Sequence, residues 1–167
     1  MSNPILIDPL KHAFEGRRIA GKLPVAELDE RVLSELAEAS GEVDWALTGF
    51  IDALGRPALR IVLSVAVSVP CGRCVQPLAV DLAADSVITL FNSEDKLEAA
   101  VEVDETLDAI MAEPELDVLA LIEDEIIMGL PLSPLHDDCG TEHLERAKAD
   151  KPNPFAVLAA LKGRKPE

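Results

Sequence analysis

Aromatic residues are nearly missing. The 167-residue chain has no tyrosine, one tryptophan and four phenylalanines, 3% in all. A surface that reads single-stranded RNA by stacking bases on rings is therefore hard to build. The core must be aliphatic, and hydrophobic residues at 49% of the chain are enough to fill one. Cysteine is scarce too: three residues cannot all pair internally, which argues against a disulfide framework. No segment approaches the ~20 uninterrupted apolar residues of a membrane span. The opening "MSNPILIDPLKHAF" lacks a charged start followed by a long apolar stretch, so the expectation is a cytoplasmic protein without a secretory signal. Also lacking are a glycine-rich phosphate loop, a Gly-x-Ser-x-Gly elbow and a His-Glu-x-x-His helix.

Positive charge is outnumbered. There are 15 bases against 31 acids, a net charge of -16. The imbalance is local: residues 81–145 hold 19 acids and one base, Lys96, which leaves 12 acids and 14 bases elsewhere. An acidic surface repels phosphate and opposes the term that dominates non-specific nucleic-acid binding. A basic polypeptide suits it better.

The length fits a single domain over 1–167. Residues 5–23 read as an extended arm with one strand. "PVAELDERVLSELAEASG" then spaces Val25, Leu28, Val32 and Leu36 as one helix, opened by Pro24 and stopped by Gly41. Period-two alternation follows. Val43, Trp45, Leu47 and Ile51 share one face; after a turn at "LGRP", so do Leu59, Ile61, Leu63, Val65, Val67 and Val69. "CGRC" at 71–74 is a tight connection, and 75–91 carries another strand or two. Residues 92–117 are acid-rich and weakly periodic, an acidic mobile loop with a short strand at 101–104. "DVLALIEDEIIMGLP" is a helix capped by Asp117, with Gly129 at the left-handed C-terminal position and Pro131 forbidding continuation. A second helix is expected at 153–165, with Asn153 as cap, Pro154 first, and a Phe155, Leu158, Leu161 stripe. The pattern predicts an α+β fold: an antiparallel β meander or sheet covered by a few amphipathic helices.

Two features could carry chemistry. On the acidic helix, Glu123 and Asp124 lie off the apolar stripe, where water solvates them. Glu125, one turn after Leu121, is partly buried, with Arg60 or Arg73 as candidate partners. No nucleophile sits beside a base, so the acids are not read as a catalytic pair. The second feature is a pair of ligand-spaced motifs, Cys71-x-x-Cys74 and His136-x-x-Cys139. Together they would complete a tetrahedral structural zinc site clamping the meander to the loop after the helix. The same Cys-x-x-Cys spacing also serves redox pairs, though the βαβ context is missing, or no ligand at all.

The Cys-x-x-Cys after a long alternating strand, the block "DVLALIEDEIIMGLPLSPLHDDC" and the terminal "KPNPFAVLAALK" together resemble the YceD family, the large ribosomal RNA subunit accumulation proteins. The likeness covers almost the whole chain. It implies a non-enzymatic cytosolic protein needed for accumulation of large-subunit ribosomal RNA. Family members often carry cysteines in both places, which here are Cys71, Cys74 and Cys139. After "PL", where many relatives have cysteine, this chain has His136. Asn153, Pro154 and Phe155 match the bacterial form of the terminal segment.

Three functions are compatible with these features. The first is a ribosome-biogenesis factor whose acidic surface, including Glu123, Asp124 and Glu125, engages a basic ribosomal protein or assembly factor, with Asn153, Pro154 and Phe155 as further contacts. The second is direct RNA binding through Arg17, Arg18 and the tail bases Lys162, Arg164 and Lys165. The third is a metal-dependent hydrolase, which the four-ligand set disfavours because a catalytic zinc keeps an open position.

Overall fold

The computed structural model describes residues 4–139. The expected C-terminal helix, with Asn153, Pro154 and Phe155, and the basic tail lie outside the described residues.

Period-two alternation builds the sheet. Strands β3 (Glu42–Ile51), β4 (Pro57–Pro70) and β5 (Pro77–Phe91) are consecutive antiparallel neighbours. β2 (Arg18–Pro24) pairs antiparallel with β3, and the short β6 (Ala109–Met111) pairs parallel with β5. The order is β2-β3-β4-β5-β6. On β4 the side chains of Leu59, Ile61, Leu63, Val65, Val67 and Val69 are buried, while Arg60 and Ser64 face water. A one-residue slip would turn that whole apolar row outward. At about 1.5–3 kcal/mol for each large aliphatic side chain, no alternative register competes. Residues 75–91 form one strand rather than two. It pairs with β4 without a bulge from Ala58↔Thr89 to Pro70↔Pro77. β3 stops pairing at Asp44↔Ser64, so β4 and β5 run on as a ribbon braced by a Glu38↔Ser68 bridge. The Cys-x-x-Cys turn sits at the ribbon's tip.

Helix α4 (Val118–Gly129) lies on the apolar face and buries Val118, Leu119, Ile122 and Ile126. The Asp117 side chain accepts from the Leu119 N–H at 2.9 Å, as its cap position requires. Gly129 does not enter the left-handed region. The helix ends one residue later, where Leu130 turns extended (φ -65°, ψ 134°). Proline disfavours the helical state of the residue before it, and Pro131 ends α4 by that route.

Three expectations are corrected. The arm at 5–23 contains β1 (Leu6–Ile7), paired with β7 (Leu116–Asp117), and helix α1 (Pro9–Phe14) ahead of β2. Asp8 caps α1 by accepting from the Lys11 N–H at 2.9 Å, and Pro9 takes the first helical position. The helix expected over 24–41 breaks into a 3-10 turn (Val25–Glu27) and a single turn, α2 (Glu30–Leu33). Leu28 turns extended, and the Asp29 N–H is given to the Glu123 carboxylate at 2.8 Å instead of to a helix. Val25, Leu28 and Val32 still reach the core. Finally, 94–103 is not loop: α3 spans Glu94–Val103, and the strand expected at 101–104 appears at β6. Ser93 occupies the N-cap position and Glu94 and Asp95 favour the first turn. Because α3 buries no residue, it needs no strong apolar period. Among the described residues, no helix is long and apolar enough to cross a membrane.

Candidate metal centre

The ribbon tip places Cys71 directly after β4, 1% exposed. The turn closes through Val75 N–H to Cys71 O at 2.9 Å and Cys71 N–H to Gln76 O at 3.0 Å. It costs Val75 a left-handed conformation, φ 63°, which a β-branched residue adopts only when the surroundings enforce it. The loop after α4 returns to this tip. Gly72 donates its N–H to Pro134 O at 2.8 Å, and a Cβ at Gly72 would come within 2.7 Å of the Ser133 hydroxyl. The glycine therefore admits the close approach that brings His136 and Cys139 alongside.

The four predicted ligands converge: Cys71, Cys74, His136 and Cys139 offer ligand atoms that all lie within 4.8 Å of one another. Cys71 Sγ is 3.6 Å from Cys139 Sγ, and Cys74 Sγ is 3.4 Å from His136 Nδ1. A tetrahedral zinc with bonds of ~2.3 Å to sulfur and ~2.0 Å to nitrogen requires ligand–ligand edges of about 3.5–3.8 Å. Two of the six edges lie near that range and the rest within 4.8 Å, so small side-chain rotations would close the set around a zinc. At 3.6 Å apart, the Cys71 and Cys139 sulfurs are not disulfide-bonded. His136 Nε2 lies 3.1 Å from Pro77 O; a proton held there leaves Nδ1 as the ligating atom. The Arg73 N–H points at Cys71 Sγ at 3.4 Å, and the Arg73 guanidinium reaches Cys139 O at 3.3 Å.

The electrostatics are unequal. Hydrogen bonds from the Cys74 backbone first, then from Arg73 and His136, outweigh burial and hold the Cys71 thiol down to about 5. Burial first, then the neighbouring sulfurs of Cys71 and Cys74, pushes the Cys139 thiol up. Cys71 is thus a thiolate at neutral pH while Cys139 keeps its proton, which it would have to give up to ligate a metal.

The acids behave differently from expectation. Glu123 is 5% exposed, not solvated; its carboxylate accepts from Asp29 N–H at 2.8 Å and from Arg31 at 3.2 Å. Glu125 is 6% exposed and accepts from the Ser86 hydroxyl at 2.7 Å. Neither Arg60 nor Arg73 reaches it: Arg60 is bound to Asp85 and Arg73 to the Cys139 carbonyl. Asp124 alone of the three is exposed, paired with Arg31 at 3.0 Å. Burial removes Glu123 and Glu125 from any docking face; both are internal supports joining α4 to the rest of the fold. Arg17 is engaged by Glu15. Asn153, Pro154 and Phe155 lie outside the described residues. Sequence reasoning had the glycine of "CGRC" as a turn former but missed Pro77 as part of the centre. No signal could have found the Pro77 carbonyl, because it is backbone.

A family model described as Large ribosomal RNA subunit accumulation protein YceD matches residues 59–162. The chain is also similar to the Large ribosomal RNA subunit accumulation protein YceD of Haemophilus influenzae, at 27% identity over 171 aligned positions covering 95% of each chain. No solved structure matches.

Proposed function

The chain belongs to the YceD family, and on that premise we propose that it is a non-enzymatic ribosome-biogenesis factor supporting the synthesis, processing or stability of large-subunit ribosomal RNA. The family match over 59–162 carries this reading. The protein works in the cytoplasm by docking a basic ribosomal protein or assembly factor on its acidic surface. The acids available for this are Glu94, Asp95, Glu98 and Glu102 of α3, with Asp108, Glu113, Glu115 and Asp124 nearby in sequence, all exposed. Cys71, Cys74, His136 and Cys139 hold a structural zinc that staples the ribbon tip to the loop after α4. Four protein ligands leave no open position for chemistry on a substrate.

The test is capture of the tagged chain from a ribonuclease-treated lysate at low and high salt. A basic ribosomal or assembly protein should be retained at low salt and lost at high salt. Recovery of no such protein at low salt would overturn the reading. Metal analysis of the purified protein addresses the zinc: the native chain should carry a single equivalent, and Cys74→Ser should carry none.

A further inference from the structure

We propose that the outer edge of β5, from Ala79 to Val87, is a docking site for an extended basic segment of a partner protein, added to the sheet as one more strand. This rests on the reading that the partner is a basic polypeptide, and it names where that partner binds.

The direction of the backbone groups follows from observed bonds. Thr89 N–H donates to Asp108 O at 2.8 Å, and Phe91 O accepts from Ala112 N–H at 2.7 Å. The N–H and C=O of one strand residue point to the same side, and the side alternates along the strand. The pairing with β4 has no bulge, so the parity holds throughout β5. Ala79, Asp81, Ala83, Asp85 and Val87 therefore aim their backbone groups away from β4. Pro77, next in that series, has no N–H, and its carbonyl meets His136. The edge is thus closed by His136 at one end and by β6 at the other. Between them, among the described residues, no strand pairs with it and no backbone hydrogen bond reaches these five residues from beyond β4. Such an edge is a template for strand addition.

The surroundings select the partner. Asp81 and Asp85 are exposed on the strand itself, with Asp108 and Asp124 exposed at the β6 end. The nearby bases are already occupied, Arg60 by Asp85 and Arg31 by Glu123 and Asp124. At the same end a hollow of 450 Å³ has apolar walls from Ile88, Ile110, Leu121, Ile127 and Met128. Main-chain bonds would supply affinity, the hollow would take an apolar side chain, and Asp81 and Asp108, whose charges no arginine offsets among the described residues, would face lysine or arginine. A second copy of this chain fits less well, because its own Asp81 and Asp85 would join these on one ribbon, and like charges on adjacent strands repel.

The probe is the peptide acetyl-Lys-Val-Lys-Val-Lys-Val-Lys-amide, with an N-methylated version as control. Amide hydrogen exchange is followed by NMR in the full-length chain. The plain peptide turns four carbonyls to one side and should protect four consecutive amides of the series Ala79, Asp81, Ala83, Asp85 and Val87, and the N-methylated one should not. Ala83→Pro removes an outward N–H that β4 does not use, and should weaken binding about tenfold. Asp81→Lys leaves the backbone intact and should weaken it several-fold through repulsion. No protection, or equal binding of the N-methylated peptide, overturns the proposal. Protection that appears without peptide also overturns it: if it grows with protein concentration the occupant is a second copy, and if it does not the occupant is the chain's own residues beyond 139. In the lysate capture, a basic partner held equally by Ala83→Pro sinks the edge site but spares the acidic-docking reading; absence of any basic partner sinks that reading itself.

Discussion

Glu123 and Asp124 are neighbours in sequence with opposite circumstances. Glu123 is buried and satisfies the Asp29 N–H; Asp124 is exposed and shares Arg31. Glu123→Ala should cost about 1–3 kcal/mol in denaturant unfolding, because it strands a backbone donor. Asp124→Ala should cost under about 1 kcal/mol, as exposed ion pairs do. Equal costs would contradict the assignment. At Asp52, burial raises the carboxyl pKa, but the Arg56 and Leu54 N–H groups and the Arg56 guanidinium prevail and hold it below the ordinary 3.8. A depressed folded-state pKa gives stability that is full above the ordinary value and is lost as pH falls through the depressed one. Unfolding measured down the acid limb should show a shallower decline for Asp52→Asn than for the native chain. At this scale the cysteine–histidine set was legible, since two short spacings carried it. The burial of Glu123 was not, because its partner lies 94 positions earlier and helical phase alone put the acid in water.

Among the elements, β3 and β4 were legible because each buries one face and alternates cleanly. β5 blurred into two because the strand extends past the sheet, where alternation marks a ribbon rather than a layer. The helices that failed to appear in the pattern are short or unburied. α1 announces itself only through Asp8-Pro9, and α3 only through Ser93 and the acids after it. The packing of α1 on β3 depends on Gly49, where a Cβ would fall 2.2 Å from His12 O. Gly49→Ala should therefore destabilise the fold by about 1–3 kcal/mol or more, read as a lowered denaturation midpoint. α3 has no buried side chain, so its amides should exchange hydrogen well before those of β4 and α4. Slow exchange throughout α3 would contradict its exposure among the described residues.

The whole molecule carries -16 net charge with its acids gathered in one half of the sequence. The fold refines that picture: two of the three acids of "EDE" are spent inside, and α3 presents acids to water instead. Such a surface should speed encounter with cations and reject phosphate. Composition carried the proposed sign of the partner's charge; a docking place could not be read from it, because that depends on which strand edge the fold leaves unpaired. The most direct measurement titrates the purified, zinc-loaded protein, side by side, with naked large-subunit ribosomal RNA and with purified basic ribosomal proteins, at low and high salt. The account predicts binding to at least one basic protein that weakens steeply with salt, and no retention of RNA even at low salt. Tight, salt-sensitive binding to the naked RNA, with none to the basic proteins, would contradict it.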